Sequence, residues 1–327
     1  MKKLFVKTLA VLIVLLLGNA YAAASNSNTI VIFDSIRKDY SGEFIDQLKS
    51  NVWESDIVIL NSIQELKGYS DESSVFLAIG PPALSAVLDA KTQIPIISLF
   101  TTRTSYEEIR KSHISESYVP NLTAVYADAD LNDQVSLITG LYNRTIKVGV
   151  LLSGKTQIYK SELSEVAQTN HVDMAYENIT GKEDIFSAIN KFKSTQIDAI
   201  LAIPDSNIYN KSTLSTIILS SQRNRQSVIG FSENLVKSGA LASVFYLPKH
   251  IATETSIILN DFFQNGYLGQ ERYARNFNVA VNSALARSLG LYKHSPYELE
   301  TRVKKNAAFR DKAFEFVYVG STDHGGV

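Results

Sequence analysis

Residues 198–246 read DAILAIPDSNIYNKSTLSTIILSSQRNRQSVIGFSENLVKSGALASVFY. The apolar run 199–203 stops at Pro204-Asp205, and a second run, 227–231, stops at Ser232-Glu233. Between them Leu214, Ile217, Ile218 and Ser221 recur at helical spacing. The pattern predicts strand, helix, strand, with polar residues at both carboxyl ends. Open α/β sheets bind ligands outside the carboxyl ends of their parallel strands, so Asp205, Ser232 and Glu233 are expected on one rim.

Working outward, the same cycle occurs twice. Strands are predicted at 29–33, 57–60, 75–79, 94–99 and 122–126, with helical patterns at 42–52, 81–90 and 132–142. A new apolar strand at 146–152 restarts the cycle, followed by a helix near 159–168, a strand near 172–176 and a helix at 183–192. Alternation of this kind predicts an α/β fold of two lobes, each a parallel sheet flanked by helices, with a ligand cleft between the lobes. Lobe 1 is expected over 23–126 plus about 278–295, and lobe 2 over about 144–246. Segments 127–143 and 247–277 are read as crossings and flanking helices, with a long helix at 250–263 closed by Asn265-Gly266. A third crossing near 277–282 is expected to return the chain to lobe 1 through a helix at 283–291. Residues 296–327 form a carboxyl-terminal extension with a charged helical pattern and a strand-like run at 314–319.

The amino terminus bears on compartment. Lys2, Lys3 and Lys7 precede an apolar core at 9–17, and Ala20-Tyr21-Ala22 has the small-x-small form of a cleavage site, so residues 1–22 read as a secretory signal. The core is too short for a comfortable membrane span. With no cysteine in 327 residues there is neither a disulfide nor a lipid-bearing thiol, and a free periplasmic protein is expected. The formal charge of −1 gives no sign of nucleic-acid binding, and loss of the signal's lysines makes the remainder more acidic. The 45% hydrophobic content suits a globular chain of two ordinary domains, expected as a monomer.

Candidate ligand contacts follow from the strand ends. Gly80-Pro81 opens a helix after a strand, where free amides and the helix dipole suit an anion; an ordinary capped helix reads the same way. Asp205 is either a partner for a ligand ammonium or a cap, and Ser232 has the same two readings. Phe100, Tyr126 and Tyr246 end strands or crossings, as stacking partners or as packing. Asp34 and Ser153, each closing a strand, complete the rim.

Catalytic signals are few. Residues 149–156, GVLLSGKT, satisfy the P-loop pattern, but Val150-Leu151-Leu152 continues a strand where amides would have to curl around phosphate, and the loop 153–156 is read as rim. His113, His171, His250, His294 and His324 lack metal-ligand spacing, and no G-x-S-x-G elbow occurs. Asp128 and Asp130 are read as solvated carboxylates on an exposed crossing. Neither an enzyme nor a cofactor is expected.

The order of short motifs resembles the substrate-binding proteins of bacterial ABC importers, in the branch allied to aromatic amino acid binders and uncharacterised transport components. The resemblance rests on Ile94-Pro95-Ile96 after the helix opened by Gly80-Pro81-Pro82, Asn121-Leu122-Thr123, Lys147-Val148-Gly149-Val150-Leu151, and Asp198-Ala199-Ile200 through Pro204-Asp205. It continues through 238–243, SGALAS, to Asn282, Ala286 and Leu289-Gly290-Leu291, almost the whole chain to about residue 292. It implies capture of an amino acid or similar solute between the lobes and delivery to an ABC permease. One departure stands out: where the family usually has an Asp-Pro turn, this chain has 100–105, FTTRTS, on the rim. Thr101 and Arg103 therefore join the candidate ligand contacts, Arg103 either pairing with a carboxylate or phosphate or being a solvated loop residue. The altered rim and the carboxyl-terminal extension motivate the alternative, a binding-protein fold that docks on a membrane sensor without transport.

Overall fold

The computed structural model describes residues 28–36, 38–52, 55–71 and 73–307. The expected signal at 1–22 and the strand-like run at 314–319 lie outside these residues.

The first sheet is five-stranded and wholly parallel, in the order β2-β1-β3-β4-β5: β1 (Asn28–Asp34), β2 (Ser55–Leu60), β3 (Ser74–Ile79), β4 (Ile96–Thr101) and β5 (Leu122–Tyr126). Its inner strands β1, β3 and β4 read as largely apolar runs because both faces are covered, whereas the edge strand β2 is mostly half-buried or exposed. Ile30, Ile32, Val75, Leu77, Ile79, Ile97 and Leu99 share one core with Phe44 and Leu48 of helix α1 (Lys38–Asn51). The alternate residues Val31, Phe76, Ala78 and Ile96 pack the other way, with Leu84, Val87 and Leu88 of α3 (Pro81–Asp89). The short helix α2 (Ile63–Gly68) follows β2, and α4 (Arg103–His113) follows β4.

The second sheet has the order β11-β10-β9-β8-β6-β7, built from β6 (Lys147–Leu152), β7 (Asp173–Asn178), β8 (Ala199–Leu201), β9 (Ser227–Gly230), β10 (Ala242–Phe245) and β11 (Asn278–Val281). All neighbours are parallel except β10 and β11. Helices α5 (Leu131–Tyr142) and α6 (Lys160–Thr169) serve one face, α7 (Lys182–Ser194) and α8 (Leu214–Arg223) the other, and α9 (Glu233–Lys237) joins β9 to β10. Gly149 lies inside β6, where a Cβ would stand 2.7 Å from the Phe192 ring of α7. The first glycine of the P-loop-like run is thus a packing residue, since a larger side chain would collide with that ring.

Helix α10 (Pro248–Asn265) leaves the second sheet and packs on α1 of the first. The chain then runs beside β5, Arg272 N–H donating to Ala124 O at 2.9 Å and Tyr126 N–H to Arg272 O at 3.0 Å. It returns as β11, antiparallel to β10, and continues into α11 (Ser283–Ser288) and a helix over 296–307. For residues 278–281 this corrects the expectation that 278–295 belongs to lobe 1. The visit to lobe 1 is made by α10 and Arg272, and residues 278–281 close the second sheet. Such a strand, with four residues, carries too little period to announce its sheet.

Candidate functional site

The carboxyl ends of β4 and β8 face each other across a pocket of about 260 Å³. On the first lobe its wall is the start of α4, with Thr102, Thr104, Ser105 and Glu108. Across it stand Lys155, Asp205, Tyr209 and Phe231 of the second lobe.

Asp205 follows β8 and organises the opposite wall. The hydroxyls of Ser153 and Thr156 donate to its Oδ2 at 2.6 and 2.8 Å, and Asn207 N–H donates to Oδ1 at 2.9 Å. Asp205 is 5% exposed and Ser153 2%, and Asp205 both shapes the loop and lines the pocket. The loop 153–156 is a closed turn, with Thr156 N–H on Ser153 O at 3.0 Å and the Thr156 hydroxyl spent on Asp205, an arrangement unlike a phosphate cradle. Tyr209 is 8% exposed, meets Phe231 edge to face at 6.0 Å, and its hydroxyl makes no hydrogen bond within the described residues. Burial, and after it the nearby Asp205, raise its phenol above the ordinary value.

Arg103 is not a solvated loop residue. It is the first residue of α4, and its guanidinium binds Glu162 of α6 at 2.5 Å and lies 5.3 Å from the centroid of the Tyr159 ring. Its partner is a carboxylate, as its chemistry predicts, but one belonging to the opposite lobe. Thr104 Oγ1 donates to Tyr159 OH at 3.0 Å, and Lys155 Nζ meets the Glu108 carboxylate at 3.0 Å, so three side-chain contacts span the lobes beside the pocket. Asp128, expected to be solvated, is 5% exposed and accepts Arg103 N–H at 2.7 Å and Tyr159 OH at 3.4 Å. Burial pushes its carboxyl up to about 6 against those hydrogen bonds. Asp130 caps α5, accepting Asn132 N–H at 2.7 Å.

The other sequence-selected residues lie off the pocket. At Gly80, φ is +91°, and a Cβ would meet Ile36 Cγ2 at 2.6 Å. The Ser35 hydroxyl accepts Ala83 N–H at 3.1 Å, so a protein side chain already caps the helix opened by Pro81. Asp34 accepts Ile36 N–H at 2.8 Å and borders a separate hollow beside α1 and β2. Phe100 takes φ +53° at a bulge, which directs its ring onto Tyr40 and Phe44, each at 5.3 Å. Thr101 is 1% exposed and its hydroxyl donates to Leu99 O at 3.3 Å. Tyr126 is enclosed between Tyr106 and Tyr273, at 5.7 and 5.1 Å. Ser232 caps α9 through Leu235 N–H at 3.3 Å. Tyr246 is buried at the second crossing, where desolvation first and the Asp133, Asp130 and Asp128 charges next raise its phenol well above the ordinary value.

Thr102, Thr104 and Ser105 lie in the 100–105 stretch that sequence reasoning placed on the rim without selecting them, and Glu108, Tyr209 and Phe231 were not selected at all. Of the last three, Phe231 carried a signal, as the residue ending an apolar run at a strand's carboxyl end. Among the described residues no three or more His, Cys, Asp or Glu gather as a metal site, and no helix is long and apolar enough to cross a membrane.

Two α/β lobes around a small pocket define the class of two-lobed binding proteins, and solved structures agree at the level of fold. The chain is similar to a substrate-binding protein with adhesive properties from Clostridium difficile, solved in a ligand-free, open form, with TM-score 0.60, 16% identity, and 82% of this chain and 96% of that one covered. A conserved domain protein from Vibrio cholerae gives TM-score 0.54 at 18% identity, covering 84% and 98%. An ABC domain in complex with L-Trp from a Streptococcus gives 0.53 at 19%, covering 83% and 97%. A comparison with curated proteins finds no match. Residues 37–289 match the ABC transporter substrate binding protein family, and the chain belongs to that family. Membership implies a small-molecule ligand and an ABC permease as partner.

Proposed function

We propose that this is an exported, monomeric periplasmic solute-binding protein, freed by cleavage after Ala22, that holds an amino acid or similar small molecule between its lobes and presents it to an ABC importer. The observation that carries the reading is the pocket itself, with wall residues from both lobes. At about 260 Å³ the pocket is slightly below the roughly 300–1,000 Å³ of pockets for drug-sized ligands, which suits a single amino acid. A ligand touching both walls favours the closed arrangement, the form an importer would read.

The test is a thermal-shift screen of the purified protein, stripped of copurified ligand by refolding, against amino acids, peptides, nucleosides, sugars and oxyanions. A true ligand at about 100 times its dissociation constant adds roughly 2.7 kcal/mol of stability and raises the melting temperature by a few degrees. Silence across the panel would sink the reading and favour docking on a membrane sensor.

A further inference from the structure

The charges lining the pocket do not balance. Glu108 and Asp205 are acidic and Lys155 is basic, which leaves one negative charge in excess. Lys155 Nζ is already committed, standing 3.0 Å from both oxygens of Glu108. The start of α4 is also largely spent: Arg103 N–H goes to Asp128 and Ser105 N–H to Thr102 Oγ1 at 3.3 Å. An incoming anion therefore finds neither a free ammonium nor an open set of helix-start amides on this wall.

Asp205 is in the opposite condition. It is more than nine-tenths buried, and no Lys, Arg or His among the described residues pairs with it. A carboxylate offers about four acceptor positions. Two donors occupy Oδ2 and one occupies Oδ1, so one position on Oδ1 stays open. Tyr209 and Phe231 line the same pocket, and aromatic rings favour both the apolar body of a ligand and a cation held over a ring face.

From this we infer that the pocket selects ligands by a positive ammonium group, received on Asp205 Oδ1, with the apolar part of the ligand against Tyr209 and Phe231, and that a ligand carboxylate is dispensable. The ligand class is amines, amino acids being accepted through their amino end. The inference rests on the reading of this pocket as the solute site, and narrows it.

Calorimetric titration with frame-matched probes tests it: butylamine against butyrate, cyclohexylamine against cyclohexanecarboxylate, and phenethylamine against 3-phenylpropionate, with L-phenylalanine as the zwitterion. Amines are expected to bind at least about tenfold more tightly than their matched carboxylates, and Asp205→Asn to lose a similar factor for amines. A carboxylate that binds as well as its matched amine overturns the inference while solute binding in the pocket stands. Silence of every pair and of the zwitterion overturns the inference and counts against the pocket as well. Asp205 also holds the 153–156 turn, so if Asp205→Asn fails to fold, the wild-type series decides alone.

Discussion

At Asp128 and His250 burial acts on two titratable groups in opposite directions. Burial raises the Asp128 carboxyl to about 6, whereas burial first, and Lys249 and Lys304 next, lower the His250 imidazole to about 4. His250 Nδ1 accepts Leu247 N–H at 3.2 Å at the start of α10, which requires the neutral ring. Its contribution to stability is complete above the ordinary imidazole value and is lost as the pH falls towards 4. For Asp128 the folded state holds its proton more tightly than the unfolded chain, so its contribution is complete below the ordinary carboxyl value and is lost as the pH rises through 6. The two slopes oppose each other between about pH 4 and 6. In urea denaturation across this window, Asp128→Asn is expected to leave stability rising with pH. His250→Asn is expected to leave it falling, by up to about 1.4 kcal/mol per pH unit. Both variants keeping the wild-type profile would refute these assignments. Neither burial was legible in sequence, because Asp128 sits in an acidic, polar crossing and becomes enclosed only when Arg103 and Tyr159 arrive from two different lobes.

Among the elements, β8, α8 and β9 were readable because a fully buried parallel strand shows as an unbroken apolar run and its helix as a clear period. Helix α4 was not. Its sequence, RTSYEEIRKSH, is mostly polar, with Tyr106 and Ile109 as its large apolar residues, so too few apolar positions recur to mark its buried side. It forms because Thr102 caps it and because its outer side meets the other lobe. The contact of Arg103 with Glu162 joins residues far apart in sequence, which no local pattern shows. Both side chains are 28% exposed, which places the pair at about 1 kcal/mol, enough to change a closed-to-open ratio about fivefold. Because the chain has no cysteine, spin labels on Lys49→Cys and Lys193→Cys would report the lobe separation directly. In ligand-free protein, Arg103→Ala or Glu162→Ala is expected to lengthen and broaden that distance, and high salt to move the wild type the same way. An unchanged distance distribution in both variants would show that the pair does not hold the lobes.

Over the whole molecule, the chain passes between lobes after β5, before α10 and again before β11, and the pocket lies beside the contacts that bridge them. The sequence reading expected several strand ends on a common rim, yet much of the candidate rim is caps and packing. Gly80 is filled by Ser35 and Ile36, Phe100 turns away through its positive φ, and Tyr126 is held between tyrosines. Which strand-end residues face a cleft depends on how two separately folded lobes meet, information spread over the whole chain. The central claim is that a small solute sits between the start of α4 and the Asp205 wall. Ser105 lines that pocket from α4, so Ser105→Trp fills it while leaving both sheets untouched. The measurement is isothermal titration of the screened ligand into wild type and Ser105→Trp at equal fold stability. Binding is expected in the wild type and a loss of at least about a hundredfold, near 2.7 kcal/mol, in the variant. Equal affinity in the two proteins would place the ligand elsewhere and contradict the account.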